Sequence, residues 1–171
     1  MTVESIPAQP SIRAQARRDV WSYLQPAASS QSTDEDIRVV VDGRVLAFSS
    51  EKALAILKAG ISSRSVEPLA EFFGIGKGQL VEYLDLERTT ALRRAMKDQP
   101  LPRHAAERVL RLLELDEIAA GTFDSEEAAL GWLRRAHPLL DGETPLQAAS
   151  TSFGAQRVKD ILVAIKYGGA A

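Results

Sequence analysis

The stretch Leu69-Ala70-Glu71-Phe72-Phe73-Gly74-Ile75-Gly76-Lys77-Gly78-Gln79-Leu80-Val81-Glu82-Tyr83-Leu84-Asp85-Leu86 carries one pattern twice. Leu69-Ala70-x-x-Phe73-Gly74-Ile75 is matched, position for position, by Leu80-Val81-x-x-Leu84-Asp85-Leu86 eleven residues later. Leu-Ala-x-x-Leu-Gly-Ile is a common form of the first helix and turn of a helix-turn-helix: the small residue admits the second helix and glycine takes the left-handed turn position. Two registers follow. In one the recognition helix is Lys77 to Leu84, where a single base faces Glu82 and Asp85, so phosphate is repelled. In the other it begins near Arg88-Thr89-Thr90 and carries Arg93, Arg94 and Lys97. Cations there neutralise backbone phosphates, and hydroxyls at a helix N-terminus donate to phosphate or base edges. Charge favours the second register, with Arg88, Thr89, Thr90, Arg93, Arg94 and Lys97 as expected DNA contacts. Two residues work against it. Asp85 stands where glycine is easiest, although Asp tolerates the left-handed region better than most residues. Glu87 places a carboxylate where phosphate would lie. Arg108 and Arg111 are expected to be solvated or paired within the fold.

Working outward, the pattern is helical almost throughout, so the fold class is mainly α. Ser11 can cap a helix to Leu24, with Ile12, Ala16, Val20 and Leu24 recurring every four residues beside Trp21. Residues 25–36 are small and polar, which is linker chemistry and suggests a detachable N-terminal arm. From Ile37 to Phe48, two Val-rich runs flank Asp42-Gly43, the dipeptide suited to a type I′ hairpin. A lone hairpin is marginal in water, so it should lie on helices or pair with another copy. Helices are expected from Ser49/Ser50 to Lys58, Ser65 to Phe73, Lys77 to Leu84, Thr89 to Lys97 and Arg103 to Ala120, the last closed by Gly121. Asp124-Ser125-Glu126-Glu127 opens another that runs to Ala136. Thr144-Pro145-Leu146-Gln147 is a second capping-box pattern. A final helix spans Phe153 to Tyr167, with Val158, Ile161, Leu162 and Ile165 on one stripe. The expected division is 1–36 as helix and linker, 37–121 as hairpin plus helix-turn-helix, and 122–171 as a small helical domain.

Composition narrows the chemistry. The 171 residues are 45% hydrophobic and 26% charged, with a net charge of −2. That near-neutral total hides a polarised middle: Arg88 to Arg111 carries seven bases against two acids, whereas Leu112 to Gly131 carries six acids and no base. There is no cysteine, and the two histidines, His104 and His137, are far apart in sequence. Disulfides, thiolate zinc sites and iron–sulfur clusters are excluded, and a histidine-based metal site is not expected. Gly74-Ile75-Gly76-Lys77-Gly78 is not a phosphate loop, because no apolar strand precedes it and the Gly-Lys-Ser/Thr ending is missing. No nucleophile is paired with a base, so the chain reads as a binder without an enzymatic site or cofactor. No apolar run suffices for a membrane span. The N-terminus lacks the layout of a secretory signal, which points to the cytoplasm.

The last third holds an ordered series: Trp132-Leu133, His137-Pro138, Asp141-Gly142-Glu143-Thr144-Pro145-Leu146, and Lys166-Tyr167-Gly168-Gly169. Ala-Leu-x-Trp-Leu, then Pro-x-Leu-x-Gly-x-Thr-Pro-Leu, then a helix ending in Tyr-Gly, resembles the toxin-binding domain of the Xre/MbcA/ParS antitoxin family. Leu80 to Arg94 is similar to that family's Xre-like helix-turn-helix, including Arg-Arg after the threonine. The resemblance covers about Ser49 to Ala171. The chain departs from the pattern at His137, where asparagine is usual, and at Asp141, where glycine is common. The resemblance implies an antitoxin whose partner is a RES-domain toxin that consumes NAD or transfers ADP-ribose, and whose C-terminal end blocks the NAD pocket. The toxin-binding residues it implies are Trp132, Gly142, Thr144, Pro145, Lys166, Tyr167, Gly168, Gly169, Ala170 and Ala171. The small residues after Tyr167 suit a narrow slot, and the terminal carboxylate is expected to pair with a toxin arginine. Operator DNA is the second expected partner, met as a homodimer because such sites are usually read by symmetric pairs. The competing reading is a stand-alone helix-turn-helix regulator with a C-terminal effector domain.

Overall fold

The computed structural model describes residues 12–24, 39–41, 44–46 and 50–168, the two short strands by their backbone alone. The N-terminal tail, the linker at 25–36, the Asp42-Gly43 turn and Gly169 to Ala171 lie outside the described residues. Helix α1 is Ile12–Leu24, followed by an antiparallel hairpin of β1 Val39–Val41 and β2 Arg44–Leu46. Val39 pairs with Leu46, Val40 with Val45 and Val41 with Arg44, the register a two-residue turn requires. Strand β2 runs beside the long helix α6, Arg103–Ala120, so the hairpin rests on a helix. The other helices are α2 Ser50–Ala59, α3 Val66–Phe73, α4 Lys77–Tyr83, α5 Arg88–Met96, α7 Glu126–Leu133, α8 Pro145–Ala148 and α9 Ser152–Lys166.

The repeated sequence pattern is a repeated turn. After α3, Gly74 N–H donates to Glu71 O and Ile75 N–H to Ala70 O. After α4, Asp85 N–H donates to Glu82 O and Leu86 N–H to Val81 O. These hydrogen bonds close a helix through a left-handed residue, and Gly74 and Asp85 have φ of 59° and 57°. A side chain at 74 would also collide with Arg134, whose guanidinium donates to Gly74 O at 2.9 Å. Asp85 is tolerated because Arg108 braces its turn, meeting the Asp85 carboxylate at 3.3 Å and Tyr83 O at 3.2 Å.

A single apolar core runs through α1, α3, α4, α6, α7, α8 and α9, including Leu69, Phe73, Leu80, Leu84, Val109, Leu115, Leu133, Leu146 and Leu162. Helix α1 belongs to it, which corrects the expectation of a detachable arm. Ala16, Val20 and Leu24 are buried, and α1 lies along α3. Its Arg13 sits 4.5 Å from the Phe72 ring centroid and 2.6 Å from the buried Asp116. Linker composition describes the segment after the helix and says nothing about the docking of the helix itself. A second correction concerns α7, which stops at Leu133 instead of reaching Ala136. There the backbone tightens through Arg135 N–H to Trp132 O, and Arg134 turns to Gly74. Two 3₁₀ turns, Ser63–Ser65 and Pro138–Leu140, and a backbone bridge between Ser62 and Pro100 have no counterpart in sequence periodicity. Among the described residues no helix is long and apolar enough to cross a membrane.

Candidate functional site

Two surfaces carry the residues singled out by the sequence. The first is α5. It buries only Ala91, so the remainder of its sequence, Arg-Thr-Thr-x-Leu-Arg-Arg-Ala-Met, faces outward or sits at the rim. Arg88, Thr89, Arg93 and Lys97 are exposed. Arg88 extends over Gly78, where a side chain would crowd its guanidinium. No ion pair is formed by Arg88, Arg93 or Lys97 among the described residues, which leaves these cations available to phosphate. Arg94 differs. It is half-buried and donates to Pro100 O at 3.1 Å, so it ties α5 to the following loop. Thr90 is half-buried and donates to the Glu87 carboxylate at 3.1 Å, which occupies one lone pair of the acid that opposes DNA. Arg108 and Arg111 are engaged within the fold, as expected. Arg111 donates to Ala149 O and Ser150 O, and burial, reinforced by the neighbouring Arg108, lowers its pKa.

Beside α5 lies an apolar groove of about 720 Å³, lined by Tyr23, Val66, Val81, Leu92 and Met96 among others. Sequence reading missed the outward placement of Leu92 and Met96, although their spacing on a helix that needs only Ala91 for its core is the signal that finds them.

The second surface is C-terminal. Thr144 caps α8 by accepting from Gln147 N–H, while Gln147 accepts in return from Thr144 N–H. Pro145 is buried at the first helical position. Trp132 is half-buried between Phe123, at 5.8 Å between ring centroids, and His137, at 5.6 Å. His137 itself accepts from Leu139 N–H through Nδ1, and its backbone carbonyl accepts from Leu140 and Gly142. Asp141 and Gly142 both have positive φ and are exposed. Trp132, Thr144 and Pro145 thus hold a rigid loop whose exposed tip is Asp141-Gly142-Glu143.

The loop packs against the N-terminal half of α9, where Arg157 Nε donates to Leu139 O at 2.7 Å. Lys166, Tyr167 and Gly168 form the opposite, exposed end of that helix. A rise of 1.5 Å per residue puts Tyr167 about 15 Å from Arg157 along the axis. The implied toxin-binding residues therefore fall into two groups. Helix α9 is held firmly: Ala155, Val158, Ile161 and Leu162 are buried, and Lys159 meets Glu114 of α6 at 2.7 Å. Tyr167, 68% exposed, stands at the tip of a braced rod.

Both surfaces fall within stretches that match known antitoxin domains. Residues 52–114 match the antitoxin Xre-like helix-turn-helix domain, and residues 119–168 match the antitoxin Xre/MbcA/ParS C-terminal toxin-binding domain. A Prs ADP-ribosylating antitoxin from Sphingobium sp. (strain YBL2) is 25% identical over 124 residues, covering 67% of this chain and 78% of that protein. With these two modules in succession, α5 in the first and the loop and α9 in the second, the chain belongs to the Xre/MbcA/ParS antitoxin family.

Proposed function

We propose that the chain neutralises a RES-domain toxin, one that consumes NAD or transfers ADP-ribose, by seating the end of α9 in its NAD cleft. The observation that carries this reading is Tyr167, an exposed aromatic at the end of a helix whose inner face is anchored in the core, within the residues matched to the toxin-binding domain. A preorganised aromatic loses little conformational entropy on entering a pocket. Lys166 and Gly168 flank it, and Gly169, Ala170 and Ala171 follow as small residues suited to a narrow slot. Trp132, Gly142, Thr144 and Pro145 contribute by shaping and supporting the loop beside α9. The name of the Sphingobium relative supports toxin chemistry built on ADP-ribose.

The same chain represses its own operon. Arg88, Thr89, Arg93 and Lys97 on α5 meet operator phosphates and bases, while Arg94 and Thr90 hold α5 in place. A homodimer presents two such helices to a symmetric operator. The chain acts in the cytoplasm as a stoichiometric inhibitor without turnover.

The test is co-purification with the product of the neighbouring gene, scored by NAD loss with and without this chain. Full-length chain is expected to suppress NAD loss at one equivalent per active site. A chain truncated after Ile165 is expected to lose that suppression and keep operator binding. Undiminished inhibition by the truncated chain would remove the α9 end as the stopper.

A further inference from the structure

Helix α9 carries a second outward aromatic at its other end. Phe153 is 88% exposed, more than any other large apolar side chain among the described residues. The backbone around it is fixed. A Cβ at the adjacent Gly154 would stand 1.9 Å from Ala148 O, so this turn is pressed against α8 and Phe153 points away. Thr151 caps the helix by accepting from Gly154 N–H at 3.0 Å. One turn on, Arg157 is bonded to the carbonyl of Leu139, whose own side chain is 40% exposed. Phe153, Asp160 and Tyr167 are spaced by seven residues, and seven-residue steps drift only about 20° around a helix. They form one outward stripe opposite the buried Val158, Ile161 and Leu162. Its two aromatic ends lie about 21 Å apart along the axis.

We propose that this stripe is the docking face for the toxin and that Phe153 is its second anchor, seated in an apolar pocket of the toxin about 21 Å from the point where Tyr167 enters. This rests on the toxin-binding reading above and adds where and how the partner is gripped. The stripe lies within residues 119–168, matched to the toxin-binding domain, and is continuous with the exposed Tyr167. A rigid aromatic left uncovered is the usual form of an interface hot spot, since covering it gains area at little entropic cost. DNA is a poor occupant: Asp160 sits mid-stripe, and Gln156 donates to it at 2.9 Å. The two anchors divide the labour. Tyr167 blocks the cleft, and Phe153 sets how long the stopper stays.

The test uses the full chain, the toxin from the neighbouring gene, and two variants, Phe153→Ala and Tyr167→Ala. Phe153→Ala is expected to weaken toxin binding roughly 10- to 100-fold through faster dissociation. Inhibition should recover at higher antitoxin concentration, and the melting temperature should not change, because the side chain touches little of its own fold. Wild-type affinity for Phe153→Ala, with inhibition lost in Tyr167→Ala, overturns the second anchor and leaves the stopper reading intact. A change in the mass of the free chain by light scattering, with toxin affinity unaltered, overturns the proposal in favour of a contact between copies. Failure of the wild-type chain to bind the toxin overturns both readings.

Discussion

Helices α1 and α5 are both rich in arginine and have opposite fates. On α1, Arg13 meets Asp116 at 2.6 Å and Glu126 at 3.4 Å, and Arg17 reaches Glu117 at 3.6 Å and Glu126 at 3.7 Å. On α5, Arg88 and Arg93 meet no carboxylate among the described residues. Both helices carry the same kind of charge; only one has acidic partners inside the fold. The acidic run from Leu112 to Gly131 is answered in part by α1, and also by Lys159 of α9, which meets Glu114. The basic run from Arg88 to Arg111 keeps an unanswered excess on the outer face of α5. A basic helix becomes structural when carboxylates lie within reach and a candidate nucleic-acid reader when they do not.

The strongest way to break this contrast is to remove the partner of Arg13. Asp116 is 5% exposed, and Arg13 Nη1 is already buried without a hydrogen-bond partner. Asp116→Ala would remove the short pair and leave the half-buried guanidinium only its longer contact with the exposed Glu126, a loss approaching the about 3–5 kcal/mol of a broken buried pair. Urea denaturation of the full chain should show a loss of that order. Arg17→Ala, whose pairs are longer and more open, should cost less than about 1 kcal/mol. If Asp116→Ala is as stable as wild type, α1 is not fastened by this pair and the contrast fails.

Next in size is the effect on the proposed operator contact. Arg93→Glu on α5 should lower operator affinity at least about tenfold and reduce the salt dependence by roughly one counterion or more. Arg18 on α1 is also exposed, and among the described residues it donates to Gln15 at 2.6 Å and meets no carboxylate. Arg18→Glu should leave operator affinity within about twofold, a change small beside the tenfold effect of a phosphate contact. Gel-shift titrations at two salt concentrations separate these outcomes. Equal losses in the two variants would mean that total charge, and not α5, governs DNA binding.

How much of this was legible in the sequence depends on range. Local rules worked: Gly121 ends α6, Thr144 and Gln147 cap α8, and the echo at Gly74 and Asp85 is realised as two left-handed turns. Long-range partners were not legible. Arg13 and Asp116 are 103 residues apart, and no periodicity links them. Arg94 read as a DNA contact because it sits beside Arg93 in sequence; the 100° step between neighbours on a helix carries it to the Pro100 side. Phe153 was legible in principle. It is five positions from Val158, well off the stripe that Val158, Ile161, Leu162 and Ile165 define, yet a phenylalanine opening an amphipathic helix is easily counted with the core. The end of α9 was read from motif order, which no single residue type would have supplied.

The smallest effect is a pH dependence, and it sharpens the account of α1. Burial raises the Asp116 carboxyl above its ordinary value of 3.8, and the opposing pull of Arg13 does not cancel that rise. Between the ordinary value and the raised one, the folded chain holds a proton on Asp116 that the unfolded chain has released. Stability from this group is therefore fully present below the ordinary value and is lost as pH rises through the raised one. Its slope is negative and bounded by one proton, about 1.4 kcal/mol per pH unit. Asp116→Asn keeps an oxygen to accept from Arg13 and removes the titration. Subtracting its urea stability from that of wild type at each pH isolates the contribution of the carboxyl. The difference should fall as pH rises through the acidic range and then level off. A difference that climbs instead would mean that pairing with Arg13 outweighs burial, making α1 a net electrostatic attraction. The expected fall makes it an apolar helix, anchored by Ala16, Val20 and Leu24, that accepts an electrostatic cost to place its arginines.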